Sequence, residues 1–152
     1  MNNARLTGWV LFCVLSLIAV LHIYWAFGGL WPAQTLDGLI DTVIGDPRFE
    51  QMPPVWMTLA VAGAILSAGW IALERAGIVR CLPRWMVTLG CWGLIAVFAL
   101  RGLSAFLVAA GIRTVSPALT EPFATNDLWL YGPLCLLIAL GFLSLTFRKL
   151  RQ

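Results

Sequence analysis

The stretch Leu6–Gly29, LTGWVLFCVLSLIAVLHIYWAFGG, decides the fold. Most of it is an apolar run long enough to cross a bilayer, whose hydrocarbon core of about 30 Å needs about 20 residues of helix. Its end holds the chain's single histidine, His22, then Tyr24, Trp25, Phe27 and the pair Gly28-Gly29. Arg5 and the apolar run resemble a signal peptide, but no small-x-small cleavage site precedes the aromatics. The run is therefore expected to be retained as a span.

Three more segments meet the same length test: Val55 to Leu73 after Pro53-Pro54, Trp85 to Ile112 after Pro83, and Leu128 to Phe147 with Pro133 in its first turns. Composition requires them. The 152 residues are 61% hydrophobic and 11% charged, against about 45–50% apolar and about 25% charged in soluble domains. The mean hydropathy is +0.89. A water-soluble domain of this length could not bury that much apolar surface, so the excess faces lipid. The net charge of +3 does not indicate nucleic acid, because the basic residues sit in short flanks of apolar runs. Cys13, Cys81, Cys91 and Cys135 form no Cys-x-x-Cys pair, and three lie in apolar runs. They read as small apolar fillers rather than a disulfide framework or zinc site.

Lysine and arginine in the flanks set the orientation. Arg5, Arg75, Arg80, Arg84, Arg148, Lys149 and Arg151 fall on one side, and only Arg48 and Arg113 on the other. The acids mirror this: Asp37, Asp41, Asp46, Glu50, Glu121 and Asp127 lie on the sparse side, and Glu74 on the basic side. The expected architecture is a single-domain, all-α, transmembrane four-helix bundle, up-down-up-down, with both termini cytoplasmic and spans of about 6–27, 55–73, 85–112 and 128–147. A reporter fused after Gln152 is expected to score as cytoplasmic, and an external score overturns the orientation.

The first connection is long. Within it Leu36, Leu39, Ile40, Val43 and Ile44 recur at helical spacing, with Asp37 and Asp41 opposite. A short amphipathic helix over 35–44 follows, lying on the outer interface or capping the bundle, and Gly45-Asp46-Pro47 stops it. The third connection, Arg113 to Asp127, contains Pro117 and Pro122 and is expected to hold no long helix. Helix contacts in lipid favour small residues. These are Ala60, Ala64 and Ala68 with Gly63 and Ser67 in the second span, Gly90, Gly93 and Ser104 in the third, and Gly141 and Ser144 in the fourth. In the first span Ala19, His22, Ala26 and Gly29 share a face, which turns His22 inward. Trp9 and Trp85 belong near the inner interface, Trp31, Trp56 and Trp129 near the outer one.

Depth then gathers a candidate site. At about 1.5 Å per residue, His22 lies roughly 8 Å and Arg101 roughly 16 Å below the outer ends of their helices. Tyr131 is one turn into the fourth span, with Asn126 and Asp127 at its mouth. An arginine in a span usually faces the interior with a partner. Asp127, Glu121, an acid of the first connection and the carbonyls near Gly28-Gly29 are the candidates. The polar cluster is His22, Tyr24, Trp25, Arg101, Ser104, Asn126, Asp127 and Tyr131. It reads as a structural clamp, as an outward pocket for a polar or anionic small molecule, or as a proton relay through His22. One histidine cannot supply bis-His haem ligation, and three protein ligands are the usual minimum for metal catalysis. No metal and no cofactor is expected.

The run His22-Ile23-Tyr24-Trp25-Ala26-Phe27-Gly28-Gly29 with Trp31, then Leu100-Arg101-Gly102, then Phe123-Ala124-x-x-Asp127-x-x-x-Tyr131-x-Pro133-Leu134-Cys135, resembles a family of small bacterial four-helix membrane proteins classed as a domain of unknown function. The resemblance covers nearly the whole chain. It implies four membrane helices in a bacterial inner membrane and no particular activity. Gly132 stands where that family's Tyr-Ser-Pro-Leu-Cys element has a serine, which removes a hydroxyl that a catalytic reading would use.

The function expected from these residues is that of a non-enzymatic integral membrane protein. Its outward polar site lies between the first, third and fourth spans and binds a small molecule, a lipid headgroup or a membrane protein partner. Two alternatives stand beside it: a membrane enzyme on a lipid or quinone-like substrate with His22 as acid–base, and a small transporter. The transporter would be a homo-oligomer, because four short helices leave little room for an aqueous path within one chain.

Overall fold

The computed structural model describes residues 3–112 and 119–150, the side chains of 148–150 excepted. Arg113, Pro117 and Arg151 therefore lie outside the described residues, as do the side chains of Arg148 and Lys149. The elements are α1 (Asn3–Ala26), α2 (Leu36–Val43), α3 (Val55–Arg75), α4 (Arg84–Ala109), α5 (Phe123–Asn126), a π-turn (Asp127–Tyr131) and α6 (Gly132–Leu150). The described residues are all helical or irregular, with no strand. Among the described residues, four helices are long and apolar enough to cross a membrane: α1, α3, α4 and the continuous run Phe123–Phe147.

Local chemistry explains the boundaries. Pro54 and Pro83 immediately precede α3 and α4, where a missing N–H costs nothing in the first turn. Thr35 caps α2 by accepting from the Gly38 N–H at 3.2 Å. Just beyond α1 the chain turns at Gly28, with φ +86°. The Gly29 N–H bonds to the Tyr24 carbonyl and the Gly28 N–H to that of Trp25, a Schellman closure that needs a left-handed residue. Gly77 closes α3 by the same pattern, with bonds from Ile78 to Leu73 and from Gly77 to Glu74.

The close approaches give the register. Gly8 of α1 abuts Ala76 just past α3, Gly90 of α4 abuts Ile71 of α3, Gly102 of α4 abuts Leu136 of α6, and Gly141 of α6 abuts Leu11 of α1. Each contact joins an early part of one helix to a late part of its neighbour. All four neighbours are therefore antiparallel, which is the up-down-up-down bundle. One end carries the beginning of α1 and the 76–83 connection (the termini end). The other carries α2, α5 and the long connections (the loop end). The most extensive contacts are α1 with α3 and α4 with α6, so the bundle is two tight pairs joined by a narrower seam. Leu15, Ala72, Cys91 and Phe142 fill the seam completely buried.

Two sequence expectations change here. The fourth long helix begins at Phe123 rather than Leu128, so Asn126 and Asp127 lie within it instead of at its mouth. The small-residue face of α3 is also not the one expected. Ala60, Gly63, Ala64 and Ser67 are exposed, and no atom lies within contact distance of a Cβ built on Gly63. The packed face is Ala62, Ala68, Gly69 and Ala72. Gly93 is likewise exposed, and the close approaches of α4 fall at Gly90 and Gly102.

Candidate functional site

Pro133 shapes the loop end. Inside a helix, proline offers no N–H and its ring collides with the carbonyl four residues back. The chain widens to a π-turn just before it, and the Gly132 N–H bonds to the Asp127 carbonyl, five residues back. Such bulges occur often at functional sites. This one sets Asp127 inside the protein with 4% of its surface exposed. Arg101 of α4 reaches it, its Nη2 donating to the carboxylate at 2.5 Å. The Ser104 hydroxyl donates back to the Arg101 carbonyl at 2.7 Å.

Tyr131 faces the cap. Its hydroxyl donates to the Thr42 carbonyl at 3.1 Å, and its ring lies against Phe123 with centroids 5.7 Å apart. Phe123 presses onto Gly45, where any Cβ would collide with the ring. The Thr120 N–H donates to the Gly45 carbonyl, and the Thr120 hydroxyl to Asp41 at 3.4 Å. Asn126 is half-buried, its N–H bonded to the Pro122 carbonyl. These contacts hold α2 over the α4/α6 pair as a cap. Thr42 was not singled out from the sequence, and Gly45 and Phe123 entered only as a helix stop and as part of the family motif. Pro133, a helix-interior proline two residues after Tyr131, was the available signal that the backbone deviates there.

Tyr24 and Trp25 hold the end of α1. The Trp25 indole N–H donates to the Trp31 carbonyl at 2.7 Å, and the Trp31 N–H to the Tyr24 hydroxyl at 3.5 Å. Gly29 packs on the Tyr24 ring, leaving no room for a Cβ. Both aromatics thus pin the 27–32 turn. Trp25→Phe removes one hydrogen bond and is expected to lower stability by about 0.5–1.5 kcal/mol, read as a lower melting temperature in detergent.

His22 occupies a separate place. Its Nδ1 lies 2.8 Å from the Ile18 carbonyl. A carbonyl only accepts, so Nδ1 carries the hydrogen and Nε2 of the neutral ring is left as an acceptor. The ring stacks obliquely on Trp25, centroids 5.1 Å apart. It lines a cavity of about 190 Å³ with Trp25, Met52, Met57 and Thr58. Arg101 lines another cavity, of about 360 Å³, with Ser104, Asp127, Asp46 and an apolar wall that includes Leu107 and Phe123. Ile44 is the one residue common to the two linings. The expected cluster therefore divides. Arg101, Ser104 and Asp127 share a cavity, Tyr131 and Asn126 support it from the cap side, and His22, Tyr24 and Trp25 stand on the α1/α3 side.

Charge at the Arg101 cavity is close to balanced. Asp46 at its rim is paired with Arg48 at 2.6 Å. The guanidinium holds the Asp46 carboxyl below the usual carboxylate range, chiefly by hydrogen bonds. A depressed pKa adds stability above the unfolded value and loses it as pH falls through the folded one. Arg48 is exposed and Asp46 lies at the protein surface, so water screens the pair and this contribution is small. Arg48→Gln is expected to move the Asp46 titration upward in an NMR pH series without changing the melting temperature. Among the described residues no group of three or more His, Cys, Asp or Glu side chains is arranged to hold a metal ion.

A family model described as "Protein of unknown function (DUF3995)" matches residues 15–142. That stretch contains both cavities and the Arg101–Asp127 pair. No curated protein and no solved structure matches the chain.

Proposed function

The chain belongs to the DUF3995 family, and on that premise we propose that it is a non-enzymatic integral membrane protein that binds an amphiphile at its loop end. A neutral or zwitterionic head sits against Arg101 and Ser104, and an apolar tail runs along α4. The observation that carries this is the double position of Arg101. It pairs with buried Asp127, and it also forms the polar corner of a 360 Å³ cavity whose other walls are largely apolar. Pockets for small ligands have this form, apolar walls with a few placed polar groups. Because Asp127 and Asp46 offset Arg101 and Arg48, the cavity suits a head that both donates and accepts hydrogen bonds over one with net negative charge. Charge counting supports placing this end outside a bacterial inner membrane.

The test fills the cavity without touching the ion pair. Ser104→Leu removes the hydroxyl's bond to the Arg101 carbonyl and puts its added carbons into the open cavity, so it is expected to lower stability by only about 0.5–1.5 kcal/mol. Lipid or lipophilic molecules that co-purify with the protein, quantified by mass spectrometry, should fall at least several-fold. Unchanged retention removes the binding reading and leaves Arg101–Asp127 as a clamp alone. The clamp is the second reading, favoured by the near-complete burial of Asp127. An acid–base role for His22 is a separate alternative. It draws its support from the Nδ1 bond, which would leave Nε2 to accept a proton, and His22→Ala with loss of a measured turnover would be its test.

A further inference from the structure

At the termini end, the last turn of α3, the 76–83 connection and the first turn of α4 enclose a cavity of about 360 Å³. Glu74, Arg75, Arg80, Arg84 and Thr88 are its polar lining residues. Arg75 is unusual there. It is more than nine-tenths buried, and Nη2 donates to the Thr146 carbonyl of α6 at 2.9 Å. Its Nε is buried with no hydrogen-bond partner, and the described residues give it no ion pair. Glu74, the single acid in the lining, is engaged elsewhere. Its carboxylate accepts from the Cys81 N–H at 2.7 Å and holds the connection in place. Arg80 and Arg84 are exposed at the mouth.

A buried cation without a counter-ion is costly, and proteins normally compensate it with a partner. Here two further arginines line the same cavity, and its one carboxylate, Glu74, is bonded to the Cys81 N–H instead of to Arg75. Guanidinium groups match phosphate oxygens in a two-pronged geometry that a lysine cannot offer. The cavity also lies where α3 ends and α4 begins, beside exposed Trp85, and the ends of membrane-spanning helices with their tryptophans meet lipid headgroups. Basic pockets between helices at a membrane surface are recognised headgroup sites.

We propose that this cavity is a phosphate-oxyanion site for the headgroup of an anionic phospholipid, with Arg75 as its buried anchor and Arg80 and Arg84 closing on the phosphate from the rim. It is distinct from the loop-end cavity in place, charge and ligand. On the orientation that the flanking charges give, its lipid comes from the cytoplasmic leaflet.

The full chain in neutral detergent is offered phosphatidylglycerol, phosphatidylcholine or inorganic phosphate, and bound species are counted by native mass spectrometry alongside the melting temperature. Phosphatidylglycerol is expected to be retained at least tenfold better than phosphatidylcholine. Arg80→Gln with Arg84→Gln should reduce that retention by about tenfold or more, each basic side chain at a headgroup being worth roughly fivefold in affinity. Both positions are exposed, so the variant keeps its fold. Arg5→Gln, exposed at the same end but outside the cavity, should leave retention unchanged. Equal retention of the two lipids overturns the proposal, and so does a loss with Arg5→Gln as large as with the double variant, which would be diffuse surface attraction. Inorganic phosphate that binds with the same arginine dependence while phosphatidylglycerol does not bind overturns the lipid source and assigns the site to a soluble anion.

Discussion

Arg101→Leu is expected to cost about 3–5 kcal/mol of stability, the usual result of removing one partner of a buried ion pair. The cost comes from Asp127 rather than from the lost arginine. Arg101 keeps 39% of its side chain exposed and could be hydrated at the loop end, whereas Asp127 keeps 6% and would be left charged among apolar helices. Arg101→Leu with Asp127→Leu should recover most of the loss, since replacing a buried pair by apolar residues is often close to neutral. The measurement is the melting temperature and the folded fraction in detergent for the two single variants and the double. A single variant that melts like the wild type would show that the pair carries no structural weight. If the double variant folds but no longer retains the loop-end amphiphile, clamp and site are one group of atoms with two roles.

Gly132→Ala should be the next most damaging change, at about 1–3 kcal/mol for overpacking a close contact. Its Cβ would lie 2.8 Å from the Ala105 Cβ and 2.8 Å from the Asp127 carbonyl oxygen. Neither atom can swing aside: one is the Cβ of the facing helix, the other is the backbone acceptor of the π-turn. Gly102→Ala meets the same seam from the α4 side, 2.7 Å from the Leu136 side chain and 2.9 Å from the Gly132 carbonyl oxygen. It should cost somewhat less, because one of its two contacts, Leu136, can change rotamer, while the Gly132 carbonyl cannot move aside. Gly63→Ala provides the comparison. Nothing lies within contact distance there, and alanine is the better helix former by roughly 0.5–1 kcal/mol. Thermal melts of the three variants in one detergent should therefore rank Gly132→Ala lowest and Gly63→Ala at or above wild type. The same crowding bears on the serine expected at position 132: this chain has no space for its Cβ.

The polar groups of the loop end were legible one at a time and not as a group. Arg101 needed a partner by the cost of a charge in lipid, and Asp127 stood among its expected partners. The Arg101–Asp127 bridge has that form. The start of the fourth helix was misplaced for the same reason. Asn126 and Asp127 look like loop residues in a hydropathy reading, yet Arg101 neutralises Asp127 and lets the helix begin at Phe123. His22 shows the limit of depth as a guide. Depth along a helix gives one coordinate and says nothing about the direction around the bundle. α1 packs chiefly on α3 and α4 on α6, so groups at similar heights face different cavities with Ile44 between them.

By itself the sequence determined the number of long helices, their alternation and the unequal charge of the two ends. Those follow from segment length, proline and glycine punctuation and the cost of moving arginine across lipid, all properties of local stretches. Tertiary structure alone decided which small-residue face is packed, that Gly102 and Gly132 form the tight crossing, that Pro133 opens a π-turn behind Asp127, and that Arg75 is buried with no counter-ion among the described residues. These depend on which surfaces meet, and contact between residues far apart in the chain is not written in the period of either helix.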